Sequence, residues 1–592
     1  MAIYSNVRLA GIVGYKQLYP NVELYPLEKL LSGLPRIWAV RLVSNIQSKL
    51  VGKPFYNPNF RDTETSQIDV PRFFFGPNNL NQLNDVINRY ETYLTLEAKR
   101  QQQPMTCATG NETPLLLLKH IMAMPESDRN IDIDILERKL FLAFMIANEL
   151  TFNREQGELP YKQDDDQELY ISSLLISRYA YNDYVSEKSE LDDLVRNQIS
   201  RTALFFNFVT NHPMLKELLN DFLVKYELIS WNDYIKTYLS IQAIARSKMG
   251  VIDFMQLKDE DNLLSEKIVD EDSIDINKPI PLSCNIDYET FRKKPFIKIA
   301  PHEYAVIDIT FIINRMYDGL YFIFNEFWKN KHPEDPNKFK QIISTDFSEI
   351  TIIDNCLREI SNYHNWFSLT DPECKIIVPE RILSSSPDFY IRDGKNVFLF
   401  ECKDVRIPKE IKAEGSTKQL LDEIDKDFVG YQNEKGRWRY KGVGQLVRNA
   451  KRIQDGLFAW DKAVKMDSRI FLVLVLNDYR QVSFGWKNYL NKKMYEECVR
   501  QNVDYSRVCP LILLDIGTLV LYKQNFMKHG FLKYFTNYYK KTHFDCNAIN
   551  NRDKMIDLFN QTLSFSGYMN MEKLCGGEEL RQNLISAITK QR

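Results

Sequence analysis

The stretch Ser386-Pro-Asp-Phe-Tyr-Ile-Arg-Asp-Gly-Lys-Asn-Val-Phe-Leu-Phe-Glu-Cys-Lys403 decides how the C-terminal half of this chain folds. Asp393-Gly394 in its middle is a hairpin signal, since tight hairpin turns need positive φ and an Asp-Gly pair reaches it at little cost. Both flanks are rich in β-favouring residues. Side chains alternate faces along a strand, so Val397, Leu399, Glu401 and Lys403 share one face and Phe398, Phe400 and Cys402 the other. An even loop centred on Asp393-Gly394 pairs Arg392 with Lys395 and Asp388 with Leu399. Opposed residues share a face, which makes Asp388 the diagonal neighbour of Glu401, about 7 to 8 Å away between backbones. Two carboxylates at that separation can converge on one divalent cation. An odd loop would turn Asp388 to the other face and remove the argument.

Around the hairpin the pattern is mixed α/β. Helical periodicity covers roughly 305–328 and 338–362, and strand-like runs follow at 374–378, 387–392 and 396–403. A helical stretch then carries Gln445, Arg448 and Arg452, and the apolar runs 470–476 and 510–515 read as buried strands. Upstream, the first 250 or so residues are helical in pattern: Leu80, Leu83, Val86, Ile87, Tyr90 and Leu94 form one stripe. Between the halves, Lys258 to Asp275 holds eight acidic residues against two lysines, and Pro279 and Pro281 follow. The predicted plan is a helical region over 1–257, an acidic linker over 258–281, an α/β domain over 282–545 with its core at about 338–540, and a helical extension over 546–592.

Pro387-Asp388 followed, after a gap, by Glu401-Cys402-Lys403 resembles the signature of the PD-(D/E)XK nuclease superfamily. That family places an acid-bearing helix before the hairpin, a helix often carrying Gln after it, and further strands beyond. Glu349 in 338–362, Gln445, and the runs at 470 and 510 fall in that order. The resemblance covers about 340–540 and implies a restriction-endonuclease-like α/β domain with a central mixed sheet, preceded by the helical region. It further implies that Asp388, Glu401, Glu349 and the backbone carbonyl of Cys402 hold Mg²⁺, with Mn²⁺ as a substitute. Lys403 would then position or deprotonate the attacking water, and Gln445 would join the catalytic set. The chemistry suits these residue types, because phosphodiester hydrolysis needs charge neutralisation and a nucleophilic water, and a cation held by hard carboxylate oxygens serves both needs. Large helical extensions on such nucleases resemble prokaryotic restriction and antiphage defence effectors. The function so implied is a DNA endonuclease, with RNA as the alternative substrate and the helical region as a surface for a protein partner or trigger. The competing expectation is a non-catalytic nucleic-acid-binding or scaffold protein with a degenerate nuclease fold. Glu-x-Lys at a strand end also describes an exposed salt-bridged face, and Pro-Asp is ordinary turn chemistry.

The segment from Lys403 to Arg452 carries thirteen Lys and Arg against eight Asp and Glu, and its tip interleaves cations with aromatics. Arg437, Trp438, Arg439, Lys441, Arg448 and Arg452 are therefore expected to contact nucleic acid. Any such surface must be local, because 77 basic and 79 acidic residues leave a formal charge of -2 over 592 residues. Nine scattered cysteines without a C-x-x-C spacing oppose both a disulfide framework and a structural zinc, and seven dispersed histidines oppose a histidine-ligated zinc hydrolase. No P-loop, G-x-S-x-G or dinucleotide fingerprint is present. The N-terminus lacks a secretory pattern and no apolar run is long enough to span a bilayer, so the expected setting is cytoplasmic with no membrane partner.

Overall fold

The computed structural model describes residues 11–50, 70–101, 106–107, 112–126, 131–155, 159–162, 166–179, 188–247, 250–251, 254–257, 263–379, 385–414, 416–543 and 561–572. It is mixed helix and sheet with a helical N-terminal region, and the chain divides into two interleaved units. Unit 1 is Met1–Gly157, Asn182–Val195 and Asn220–Ile323; unit 2 is Glu158–Tyr181, Arg196–Leu219 and Phe324–Arg592. Among the described residues no helix is long and apolar enough to cross a membrane.

Unit 1 packs helices such as Arg36–Leu50, Leu80–Gln101 and Ile133–Glu155 around one core, in which Phe74 and Phe75 meet Phe141 at 5.5 and 5.2 Å between ring centres. It also contains a four-stranded sheet that the helical pattern did not announce. Its strands are β1 (Phe254–Gln256), β2 (Ser273–Asp275), β3 (Phe296–Ala300) and β4 (Glu303–Val306), in the order β1-β4-β3-β2.

This sheet corrects the expected linker over 258–281. Residues 258–262 lie outside the described ones, but from Leu263 onward the segment is folded. Leu263–Glu271 is a helix, and β2 pairs in parallel with β3. The acids are partnered and not merely solvated: Asp270 accepts from Lys298 at 2.6 Å and from the Tyr304 hydroxyl at 2.7 Å. Asp272 is fully buried and receives the Arg315 guanidinium as a fork at 2.8 and 2.9 Å, with the Tyr238 hydroxyl also donating to it. The first unit therefore continues to Ile323, past the boundary expected at 282.

In unit 2 a five-stranded mixed sheet carries the hairpin. Its strands are β5 (Phe367–Thr370), β6 (Phe389–Asp393), β7 (Asn396–Lys403), β8 (Arg469–Leu476) and β9 (Ile512–Asp515), ordered β9-β8-β7-β6-β5. The β5, β6 and β7 pairings are antiparallel, and β8 and β9 add in parallel. Parallel strands are covered on both faces, which is why β8 reads as one apolar run. On one side Val397, Leu399, Leu472 and Leu474 pack with Leu446, Val447 and Ile453 of the helix Gly442–Gln454. On the other, Phe398 and Phe400 meet Phe531 of the helix Lys523–Lys541 at 5.8 and 5.7 Å. Leu169 and Ile176, far earlier in the chain, belong to the first of these cores.

Helix α1 precedes the sheet as Lys338–Ile342, Ile343–Asp354 and Asn355–Tyr363, its middle portion wound as a π-helix. The strand expected at 374–378 is instead a helix, α2 (Asp371–Ile377). Thr370 and Glu373 form a capping box with Pro372 in the first turn, and that start signal overrides the apolar content of the run. Of the expected extension over 546–592, the described portion includes the helix Phe565–Met571, which packs Phe565 on Phe535 and Tyr538.

Replacing Asp272 by Ala leaves Arg315 buried without its carboxylate. The expected loss is about 3 to 5 kcal/mol in urea unfolding, and a loss under 1 kcal/mol would show that the pair is not structural.

Candidate active site

The hairpin turn lies one residue further along the chain than the sequence placed it. Asp393 pairs with Asn396, so Gly394 and Lys395 form the loop, and Gly394 takes the positive φ (57°) that a tight hairpin turn requires of its first residue. The ladder is thereby displaced by two residues from the expected pairing: Tyr390 faces Leu399 and Phe389 faces Phe400. A two-residue displacement preserves which face each side chain occupies. Continuing the register one step outward sets Asp388 directly across from Glu401, closer than the diagonal relation expected.

Asp388 sits just beyond the end of β6, where the ladder on that side of Cys402 has stopped. Its Oδ2 takes that place, accepting from the Cys402 backbone N–H at 2.6 Å. An extended residue points its N–H and C=O to the same edge, so the Cys402 carbonyl looks out on the same gap. The start of α2 holds this corner: the Asp371 N–H donates to the Asp388 carbonyl at 2.9 Å, and the Ser386 hydroxyl donates to the Asp371 carboxylate.

Glu401 and Lys403 do not form an exposed salt-bridged face. Glu401 is only 1% exposed, and the side chain of Lys403 is also largely covered. Lys403 Nζ donates to Glu401 Oε1 at 2.7 Å, whereas Glu401 Oε2 is buried with no hydrogen-bond partner. The reason for the burial is that β7 runs through the middle of the sheet between β6 and β8.

Four acids crowd this point. Burial raises the Glu401 carboxyl to about 8, reinforced by the charge of Asp388 and, less strongly, of Glu349. Glu349, on the π-helical part of α1, is raised to about 7 by burial and by Asp388. Asp354 is raised to about 7 by the same two causes, and Asp388 is itself raised by burial. Lys403 is pushed further up by Glu401 and Asp388, against burial, and so stays charged. The structure thus brings Asp388, Glu401, Lys403 and Glu349 together, and adds Asp354. The missed signal was the spacing of Glu349 and Asp354: five residues apart, they align on one face only where the helix bonds i to i+5.

Chemically this is an oxygen-rich, net-negative pocket with an unsatisfied buried acceptor, the donor set a hard divalent cation prefers. Among the described residues, however, no three His, Cys, Asp or Glu side chains converge closely enough to ligate one ion. Gln445 stands apart, half-buried on α3 (Gly442–Gln454) without a hydrogen bond to these acids.

The expected nucleic-acid contacts divide. The segment after Lys403 is not an open loop: it forms helices Lys409–Glu414 and Thr417–Phe428, the latter burying Leu420, Leu421, Ile424 and Phe428. A small antiparallel hairpin, Gly430–Gln432 with Trp438–Tyr440, follows. Arg437, Arg439 and Lys441 are exposed, as the sequence suggested, and Trp438 is 37% exposed. Arg452 is a correction. It is 7% exposed, lies over Trp460, and its Nη1 donates to the Ser385 carbonyl and Asn449 Oδ1, because position 452 falls on the inner face of α3. Gly442 and Gly444 open that helix for a packing reason: a Cβ would come within 2.7 Å of the Phe428 carbonyl and 2.5 Å of the Val429 carbonyl. Asp166 caps a helix by accepting from the Leu169 N–H. Comparison with protein-family models, curated proteins and solved structures gives no match to this chain.

The raised carboxyls fix a pH dependence. A folded-state pKa near 7 for Glu349, against its ordinary 4.5, means the folded protein holds this proton to higher pH than the unfolded chain. That contribution to stability is full below about 4.5 and is lost as pH rises through about 7. In EDTA, Glu349→Gln is expected to melt with the wild type at pH 4.5 and progressively above it toward pH 8. Parallel melting curves across that range would refute the electrostatic picture.

Proposed function

We propose that this chain is a metal-dependent nuclease that hydrolyses phosphodiester bonds, with DNA as its substrate. The observation that carries the reading is Glu401 Oε2, a buried and unpartnered carboxylate oxygen beside Asp388 at the end of a central strand. Burial and the surrounding acids make ionising this carboxyl costly, and a bound cation would remove that cost. The order of elements supports the reading too: an acid-bearing helix, the hairpin, a helix carrying Gln445 and then further strands follow one another in the sequence the resemblance implies.

Asp388, Glu401, Glu349 and the Cys402 carbonyl are the groups that would hold Mg²⁺ or Mn²⁺, after side-chain adjustment, since they do not yet converge. When bound, the ion would neutralise phosphate charge and lower the pKa of a water. Lys403 is held protonated by its neighbours, so its part is to donate: it orients the water or meets negative charge developing on the phosphate. Once bound, the ion's charge would keep Glu349 ionised as one of its ligands. Asp354 backs Glu349 through charge. The prokaryotic-defence setting and a trigger-sensing role for unit 1 rest on the resemblance alone.

That no three ligands converge among the described residues favours a second reading, a scaffold in which Lys403, with Lys375 and Arg358, offsets the acids. Because Glu401 and Lys403 are buried, near-isosteric changes test the site better than truncation. Glu401→Gln and Lys403→Met are each expected to lower Mg²⁺-dependent cleavage of plasmid or single-stranded DNA by about 100-fold or more, with the melting cooperativity retained. Mg²⁺ or Mn²⁺ is expected to raise the melting temperature of the wild type but not of Asp388→Asn. A wild type unmoved by either ion, and inactive on DNA and RNA, would establish the scaffold.

A further inference from the structure

Unit 2 holds a second feature near these carboxylates, a cavity of about 630 Å³ lined by Ser385, Trp438, Arg439, Tyr440, Arg448 and Gln501. Among the described residues its walls offer two guanidiniums, two aromatic rings, an amide and the hydroxyls of Ser385 and Tyr440, and no carboxylate. Arg439 and Arg448 have no carboxylate partner among the described residues; Arg448 lies instead over the Tyr440 ring at 5.7 Å. Arg452, beneath them, is lowered to about 10 by burial and then by the like charge of Arg448. Positive charge is therefore concentrated here, with no counter-charge among the described residues of the wall.

The aromatic side of the cavity is fixed in advance. The Arg500 guanidinium covers one face of the Trp438 indole at 3.5 Å, and Glu497 anchors Arg500 by an ion pair. A ring ordered before binding loses less freedom when a ligand stacks on it. The volume suits one small planar anion and is far too small for a duplex. Its place in the chain is also telling. Ser385 is three residues before Asp388, so its Cα is within about 11 Å of the Asp388 Cα. Ser385 adopts a left-handed φ of 65°, unusual for a residue with a side chain, and Arg452 holds its carbonyl at 2.7 Å.

The geometry points to a nucleotide subsite: the base of one unstacked nucleotide lies against Trp438 and Tyr440, and its phosphate sits between Arg439 and Arg448. The link to catalysis rests on the nuclease reading, since the subsite would set the strand one or two phosphates from Asp388; the binding itself does not. Base–aromatic stacking needs an exposed π-face, which a single strand supplies freely and a duplex only on unstacking. The substrate class is accordingly a strand with an unpaired base beside the cleaved bond.

Binding of a labelled oligo-dT strand and of a blunt duplex to the full chain, followed by fluorescence anisotropy in EDTA, tests this apart from cleavage. Trp438→Ala and Arg448→Gln are each expected to weaken single-strand binding by about tenfold, with duplex binding changed by less than about twofold, and Trp438→Phe to retain most of the affinity. Competition by free dAMP would assign the subsite to mononucleotides as well; weakened strand binding without competition by dAMP would confine it to a nucleotide within a strand. Unchanged single-strand affinity in both variants, or equal losses on the duplex, would overturn it. Strand binding that depends on Trp438 in a protein that never cleaves would overturn the nuclease reading and leave the subsite. Cleavage with binding indifferent to Trp438 would do the reverse.

Discussion

Glu401 lies buried at the end of a central strand, beside Asp388 and Glu349, with Asp354 coupled by charge to that pair and Lys403 in contact with Glu401. In a low-dielectric interior such a group of acids is tolerated only if some are protonated or a cation is supplied. Much of the local architecture serves this arrangement. The hairpin sets Asp388 opposite Glu401, the Cys402 N–H ties Asp388 down, and α2 braces the corner from behind. Lys403 then has no freedom to wander, since its charge is needed where it is.

The hairpin was legible because its evidence is local: Asp-Gly between two β-rich runs, with alternation that assigns faces. Its register was not. Sequence places the turn only to within a residue or two, yet the face assignment of Asp388 survived because the displacement was even. The π-helical winding that aligns Asp354 with Glu349 was invisible, since nothing in the pattern of 343–354 distinguishes bonding to i+5 from bonding to i+4. The short helix after Thr370 shows the converse: its capping box is present in the sequence, but the apolar run that follows it has the composition of a strand.

The acidic segment misled for a different reason. Charge density suggests solvation only if the charges lack partners, and the partners of Asp270 and Asp272, namely Lys298, Tyr304, Tyr238 and Arg315, are distant in sequence. Arg452 repeats the lesson on a smaller scale. A cation in a basic run was expected to reach solvent, whereas helical phase turned it inward against Trp460.

The interleaving of the two units has a bearing on how the molecule comes into being. Unit 2 takes Leu169 and Ile176 into its core and lets Ser177 share a hydrogen bond with Thr417 at 2.8 Å, and Arg201 reaches the Asn477 carbonyl at 3.2 Å. On the ribosome these helical residues emerge long before β8 does, and at about 5 to 20 residues per second the wait is on the order of tens of seconds. Throughout that time the early helices must be held by other contacts or by chaperones, and Glu401, once made, has no finished sheet around it until β8 and β9 follow. The fold therefore keeps its carboxylate cluster unassembled until synthesis is nearly complete, a delay written into chain order and independent of any inhibitor.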